Sequence, residues 1–391
     1  MRHYLRDMLT GPPLNRFRNK LLSWFAEFQR DLPWRRTKDP YRIWLSEIML
    51  QQTRVAAAIP YYQRFLLRFP DVKALADAPE DEVLRFWAGL GYYSRAKNLQ
   101  RAARQIVAEH DSRFPETPDR ALALPGIGQY TAAAILSIVY GKKLAVLDGN
   151  VARVLARLGG IRGNLRNGTR WQELQKTADA LLPRNTPGDW NQAMMELGAT
   201  ICTPRSPQCL LCPIGEFCQA RKLGLVEVIP EKRNKRSTVE ITLAALVPVD
   251  SQGRTLLLPP PQSSEQAART SDVAALLSRM WHFPTIQVRS DALAELRNSA
   301  RTTLFAGQRF SGKLKPLETV RHAVTYRQIT LLPFRIEVAK LPAVPQAKTL
   351  LLSDLSSVPI SNLTRKVARA AVSAKRDRRT TVRKLGGELQ S

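Results

Sequence analysis

Between residues 15 and 225 apolar side chains recur at spacings of three and four, and the punctuation is of the helix-ending kind, so this stretch is predicted to be helical almost throughout. Asp39 followed by Pro40 makes an N-cap and a first-turn residue, and Ile43, Trp44, Leu45, Ile48 and Met49 then form the buried stripe of one helix. Further helices are predicted over 54–69, 79–87, 94–109, 129–140, 150–158 and 171–182. The run Glu231-Lys232-Arg233-Asn234-Lys235-Arg236 lacks apolar anchors and separates two textures, which makes 226–236 a basic linker. Beyond it the period falls to two. Val239, Ile241 and Leu243 alternate with Thr238, Glu240 and Thr242, further strands are predicted over 255–258 and 328–338, and a short helical stretch lies near 272–278. The pattern predicts an α+β domain over 237–360. From Ser361 onward there are nine Lys and Arg against Asp377 and Glu388, so 361–391 reads as a mobile basic tail, and 1–14 as a short N-terminal extension.

Composition narrows the class. A chain of 391 residues with 44% hydrophobic content holds two or three ordinary domains and is not disordered throughout. Sixty Lys and Arg against thirty-three Asp and Glu give a formal charge of +27, which points to a polyanionic partner, nucleic acid ahead of an anionic membrane surface. No run of eighteen apolar residues and no apolar segment behind Met1 resembles a membrane span or secretory signal, so a cytoplasmic protein is expected. In that compartment disulfides are disfavoured, and four His in the whole chain argue against a His-rich metal site.

Three constellations carry chemistry. Cys202, Cys209, Cys212 and Cys218 follow the spacing C-x6-C-x2-C-x5-C, a loop compact enough to surround one soft metal centre, either a 4Fe-4S cluster or tetrahedral zinc. Leu124-Pro125-Gly126-Ile127-Gly128-Gln129 sets a two-glycine turn between apolar helices; it is either a tight αα-turn or a helix-hairpin-helix whose outward N–H groups take a DNA phosphate, and the charge favours the second. Asp148 precedes the helix from Val151 and is a capping residue, its carboxylate held ionised by backbone N–H groups and the helix dipole. Glu47, in contrast, lies amid the Trp44 stripe, where desolvation should raise its pKa. Two carboxylates with pKa values pushed apart are what a general acid and an electrostatic stabiliser need when a glycosidic bond breaks.

The motifs Leu32-Pro33-Trp34-Arg35, Trp44 through Thr53, Gly89-Leu90-Gly91-Tyr92-Tyr93-Ser94-Arg95, the hairpin, Leu147-Asp148-Gly149-Asn150-Val151, Asn191 through Gly198 and the four cysteines together resemble the adenine DNA glycosylase (MutY) family. The resemblance runs in order over about residues 20 to 225. It implies an endonuclease III-like fold in a mostly α region of residues 15–225, with a six-helix barrel and its hairpin over about 30–145, and a helical iron-sulfur domain built from 15–29 and 146–225 that holds one 4Fe-4S cluster. It also implies that Glu47 protonates the departing adenine and then activates water, that Asp148 stabilises the cation, and that Tyr130 and Asn150 stand beside them. Arg30, Trp34, Arg35, Gln52 and Gln192 match the pocket for the extruded base; Gln51, Tyr92, Gly126 and Gly128 match DNA contacts, with Tyr92 as the wedge in the base stack. Bifunctional relatives carry a lysine at the hairpin position where this chain has Tyr130, so a monofunctional enzyme is expected.

The C-terminal domain more weakly resembles the MutT-like (Nudix-like) domain of the same family, through Met280-Trp281-His282-Phe283-Pro284 and Arg321-His322-Ala323-Val324-Thr325-Tyr326. It lacks the carboxylates a Nudix hydrolase needs for its metal, which implies lesion recognition without pyrophosphatase chemistry. Val324, Thr325 and Tyr326 occupy the place of the family's Phe-Ser-His reader of 8-oxoguanine, and His282 and His322 are read as structural. The expected partner of this monomer is duplex DNA holding adenine opposite 8-oxoguanine or guanine, at the nucleoid of a bacterial cell. The alternatives are a pyrimidine-lesion glycosylase of the endonuclease III type and a non-enzymatic iron-sulfur DNA-binding protein.

Overall fold

The computed structural model describes residues 10–165, 167–231, 237–260, 280–306, 312–324 and 326–385, the last twelve of these by backbone alone. The helical stretch expected near 272–278, residues 232–236 of the linker, and Thr325 lie outside the described residues. Contacts divide the chain into two units, Met1–Ala78 with Ser94–Asn234, and Pro79–Tyr93 with Lys235–Ser391.

The first unit is helical: α1 (Gly11–Phe28), a 3-10 turn (Pro33–Arg36), α2 (Pro40–Leu50), α3 (Val55–Arg68) and α4 (Val72–Asp77) come first. After α5 (Glu80–Trp87), which falls in the second unit, follow α6 (Ser94–Glu109), α7 (Pro118–Leu122), α8 (Gln129–Tyr140), α9 (Gly149–Gly159), α10 (Gly168–Leu181), α11 (Pro187–Thr200) and α12 (Gln219–Lys222). Helix α1 begins inside the expected N-terminal extension, because Leu14, Phe17, Leu21 and Phe25 recur at spacings of three and four and are all buried. Asp39 caps α2, accepting from the backbone N–H of Tyr41 at 2.8 Å and of Arg42 at 3.3 Å, an arrangement worth about 1 kcal/mol. Thr131 to Ile138 of α8 and Val151 to Gly159 of α9 are buried on every side, so both helices run through the core and deliver their N-terminal ends to a common place.

Helix α11 was not among the predicted helices. Its interior glycine, Gly198, lowers helix propensity, but the packing requires it: a Cβ there would lie 2.8 Å from Asn150 Cβ at the start of α9.

In the second unit the described strands are β1 (Val239–Val249), β2 (Arg254–Leu257), β3 (Thr285–Gln287), β4 (Lys315–Pro316), β5 (Val320–Val324), β6 (Arg327–Glu337) and β7 (Lys348–Leu351), with α13 (Ala292–Ser299) and α14 (Asn362–Leu385). They form one mixed sheet in the order β4-β6-β1-β2-β7, with β3 added on β1 and β5 on β6. Strands β1 and β6 pair in parallel along their whole length, from Val239 opposite Arg327 to Val249 opposite Glu337. The alternation expected along β1 stops at Leu243, and every later residue is buried, because both faces of the sheet are covered. Ile241, Leu243, Ala245 and Val247 face a core that includes Leu363, Val367 and Ala371 of α14, whereas Ala244 and Leu246 face Leu296 of α13 and Phe305.

The mobile tail expected from Ser361 is therefore corrected over its first turns. Apolar residues at 363, 367 and 371 recur every four positions and seat α14 on the sheet, a periodicity hidden by the basic residues between them. Among the described residues no helix is long and apolar enough to cross a membrane.

Candidate active site

The 3-10 turn, α2, α8, α9 and α11 converge in the first unit on a cavity of about 200 Å³. Helix α2 presents Ile43, Ser46, Glu47 and Leu50, and α11 presents Gln192, Met195, Glu196 and Ala199; each set follows the i, i+3, i+4, i+7 spacing of one helix face. Trp34 and Arg35 come from the 3-10 turn, Tyr130 from the first turn of α8, and Asp148 and Asn150 from the start of α9.

Glu47 is 7% exposed. Its carboxyl takes one donor, the Tyr130 hydroxyl, to Oε2 at 3.0 Å. Burial lifts its pKa to about 7; the Tyr130 bond pulls it down, the Asp148 charge pushes it up, and Arg35 opposes the rise. Burial likewise raises Tyr130, keeping its phenol a donor, and Met195 Sδ lies 3.1 Å from the same hydroxyl.

Asp148 caps α9 as expected. Its Oδ1 accepts from the N–H of Asn150 at 2.9 Å and of Val151 at 2.7 Å, and the Asn150 side-chain amide donates to Oδ2 at 3.1 Å. The expected downward shift is not found: burial raises its pKa, and these bonds with the Arg153 charge offset only part of the rise. The asymmetry between the two acids instead lies in their donors, three on Asp148 and one on Glu47.

The wall opposite is a charged cluster. Arg30 Nε and Nη2 grip Glu196 at 2.6 and 2.7 Å, and Arg35 Nη2 reaches the same carboxylate at 2.8 Å. Burial alone would raise the Glu196 pKa, yet the hydrogen bonds and charges of the two arginines bring it down to about 2. Trp34 is buried edge-on against Tyr62, with ring centroids 5.3 Å apart. Gln192 lines the cavity, whereas Gln52 does not; it is exposed, in a left-handed turn (φ 57°) after α2. Gln51 is turned away, donating to Thr131 Oγ1 at 3.3 Å.

Behind the site, Arg153 of α9 donates to Asn150 Oδ1 at 2.8 Å, to the Gly198 carbonyl at 2.7 Å and to the Cys202 carbonyl at 2.8 Å, joining the Asp148 cap to the cysteine loop. All four cysteines line one cavity of about 30 Å³, together with Arg157 and Arg221. Arg157 is 2% exposed and donates to Cys202 Sγ at 3.3 Å. Burial pushes the Cys212 thiol up to about 12 and raises Cys218, as in a site whose thiolates need a metal's positive charge. Among the described residues no three His, Cys, Asp or Glu converge on the position of a single ion.

In the hairpin, Gly126 has φ +80°, and a Cβ there would lie 2.8 Å from Asn98 Cβ, so only glycine fits. Gly128 is the N-cap of α8, whose first N–H groups have no acceptor within the helix. Of the remaining expected residues, Tyr92 is 44% exposed with φ +48°; Val324 ends β5 and packs on the sheet core, and Tyr326 stands in the turn to β6 under Arg327, 4.8 Å from its ring centroid. His282 is buried, its Nδ1 2.8 Å from the Phe283 carbonyl, and burial lowers its pKa, which suits the structural reading.

Residues 45–187 match the family of HhH-GPD superfamily base excision DNA repair proteins, and residues 202–218 match the iron-sulfur binding domain of endonuclease III. A human adenine DNA glycosylase is 44% identical over 229 residues, 56% of this chain and 41% of that protein. The adenine DNA glycosylase of Mus musculus is 31% identical over 401 residues, which cover 90% of this chain and 77% of the mouse protein. The chain belongs to the adenine DNA glycosylase family. A solved thermostable thymine-DNA glycosylase is 31% identical, with a TM-score of 0.50 over 54% of this chain and 97% of its own, so the helical fold is shared more widely than the adenine DNA glycosylase name.

Of the catalytic and pocket residues implied by likeness to adenine DNA glycosylases, Glu47, Tyr130, Asp148, Asn150, Arg30, Trp34, Arg35 and Gln192 meet at one cavity, and Gln52 alone stands outside it. Glu196 and Arg153 were missed. Glu196 lies four residues after Gln192, so its helical spacing was the available signal; Arg153 lies three residues after Asn150 on α9, but its partners at Gly198 and Cys202 are distant in sequence.

Proposed function

We propose that the chain is a monofunctional adenine DNA glycosylase that hydrolyses the N-glycosidic bond of adenine mispaired with 8-oxoguanine or guanine in duplex DNA and leaves an abasic site. The observation that carries this reading is a buried Glu47 with a pKa of about 7, sharing a cavity with the capped carboxylate of Asp148. Near neutral pH Glu47 holds a proton to give. As the bond between the sugar and adenine breaks, the electron pair leaves with the base, which takes the Glu47 proton, and the sugar becomes oxocarbenium-like. Asp148 faces that cation. Glu47, now a carboxylate, takes a proton from water as the water oxygen bonds to the anomeric carbon, and the acid is restored. Tyr130 orients Glu47, and Asn150 orients Asp148.

Glu196, kept ionised by two arginines, is an acceptor suited to the exocyclic amine of adenine. Extruding the base from the stack costs a few kcal/mol, which Tyr92 as wedge and the pocket contacts offset, while the hairpin at Gly126 and Gly128 holds a phosphate. None of the residues lining the cavity is a lysine, which supports hydrolysis without a Schiff base and disfavours the pyrimidine-lesion reading. A mere DNA binder has no use for a buried acid that destabilises the fold.

The four cysteines line one cavity and suit a 4Fe-4S cluster, a reading supported by the iron-sulfur family match over residues 202–218. Cys202, Cys209, Cys212 and Cys218 would hold the cluster, which when bound would cross-link the loop. The second unit is MutT/Nudix-like in its mixed sheet covered by helices, and Val324-Thr325-Tyr326 is its lesion reader. Single-turnover excision from duplexes with adenine opposite 8-oxoguanine, guanine, cytosine and thymine tests the proposal. Release opposite 8-oxoguanine and guanine, with intact strands before alkali, is expected; strand cleavage at neutral pH or no release would overturn it.

A further inference from the structure

The second unit has a hollow of about 480 Å³ that the reaction does not use, between the 352–360 segment and α14. Leu352, Leu355 and Ile360, all more than 90% buried, help form its lining, and Arg365 and Arg369, one helical turn apart, stand on the α14 side. Among the described residues neither guanidinium has a hydrogen-bond or ion-pair partner. Two like charges at i and i+4 destabilise a helix, and among the described residues no carboxylate pairs with either of them. The single carboxylate on the lining, Asp354, is engaged in its own turn, accepting from the Ser356 N–H at 3.0 Å.

We propose that this hollow holds a sugar-phosphate unit of the nucleic-acid backbone, with Arg365 and Arg369 on the phosphate oxygens and the apolar lining against the sugar. Paired guanidinium groups match phosphate geometry, and the hollow lies within the volume range of sites that enclose a small ligand. The contact positions the duplex and carries no sequence information. The inference rests on the reading of the chain as a duplex-acting enzyme.

Deleting the C-terminal segment cannot test it, because Leu363, Val367 and Ala371 belong to the sheet core. The test is the full chain with Arg365→Gln and Arg369→Gln, against a control of equal charge loss on α13 and the turn after it, Arg297→Gln with Arg301→Gln. Affinity for an undamaged duplex and for an adenine:8-oxoguanine duplex is titrated across salt concentrations, and excision is followed at saturating enzyme. The hollow variant should lose affinity equally for both duplexes, and its log K against log salt slope should become shallower by about one to two. Excision at saturation should be unchanged, and Arg365→Lys with Arg369→Lys should restore most of the slope. A change no larger than the control's overturns the inference. Loss of inorganic phosphate binding with DNA affinity intact also overturns it, since the ligand would then be a free phosphate. Failure of the underlying functional reading is separately visible, as wild-type protein that excises nothing.

Discussion

Glu47 is held where a carboxylate is uncomfortable, and that has a signature in stability. In the unfolded chain its pKa is near 4.5 and in the folded protein about 7, so the folded state binds the proton more tightly. Its contribution is fully present below pH 4.5, declines between pH 4.5 and 7, and above 7 the buried charge costs about 3 kcal/mol. Glu47→Gln should therefore raise stability by up to about 3 kcal/mol at pH 8 and by about 1 kcal/mol or less at pH 5. Urea titrations at the two pH values check this; an equal effect at both would mean that Glu47 is not buried as a titrating acid. At this scale the sequence exposed Glu47, through its apolar neighbours, and Asp148, through its capping position. It did not expose Glu196, whose arginine partners lie more than 160 residues away, nor the upward shift of Asp148, which depends on how deeply the cap is buried.

Among elements, α2 matters most, because its register sets where Glu47 points. Its C-terminal carbonyls are collected by one side chain: Arg95 Nη1 donates to Ile48 at 2.7 Å, Met49 at 3.0 Å and Gln51 at 2.6 Å, and Nη2 to Thr53 Oγ1 at 3.3 Å. A cation there also complements the helix dipole. Arg95→Ala should lower the single-turnover excision rate by about tenfold or more, with a smaller change in duplex affinity, since a misplacement of an ångström can cost up to about a hundredfold. Arg95→Lys should recover part of the rate by keeping the charge; equal loss of rate and affinity in both variants would point to general unfolding. Helices with their own periodicity, such as α6 and α8, were legible in the sequence to the residue. Helices whose sequence serves a neighbour were not: α11 carries Gly198 for α9, and α14 mixes its apolar spacing with arginines.

For the whole molecule, the change of period near residue 237 announced a helical region and a sheet region, and the structure holds both. The sequence missed where the second core ends, since α14 completes it from beyond the expected boundary. Removing residues 361–391 should therefore lower the thermal midpoint of the sheet unit and expose apolar surface to a dye, with the iron-sulfur absorbance retained. A truncated protein with an unchanged melting profile would restore the picture of a passive tail.

In the proposed reaction Glu47 is the proton donor to adenine, and the most direct test is the single-turnover release of adenine opposite 8-oxoguanine as a function of pH. The rate constant should be level below pH about 7 and fall tenfold per unit above it, with Glu47→Gln inactive at every pH while still binding the duplex. A rate that stays constant from pH 6 to 9, or a Glu47→Gln variant that excises like the wild type, would contradict it.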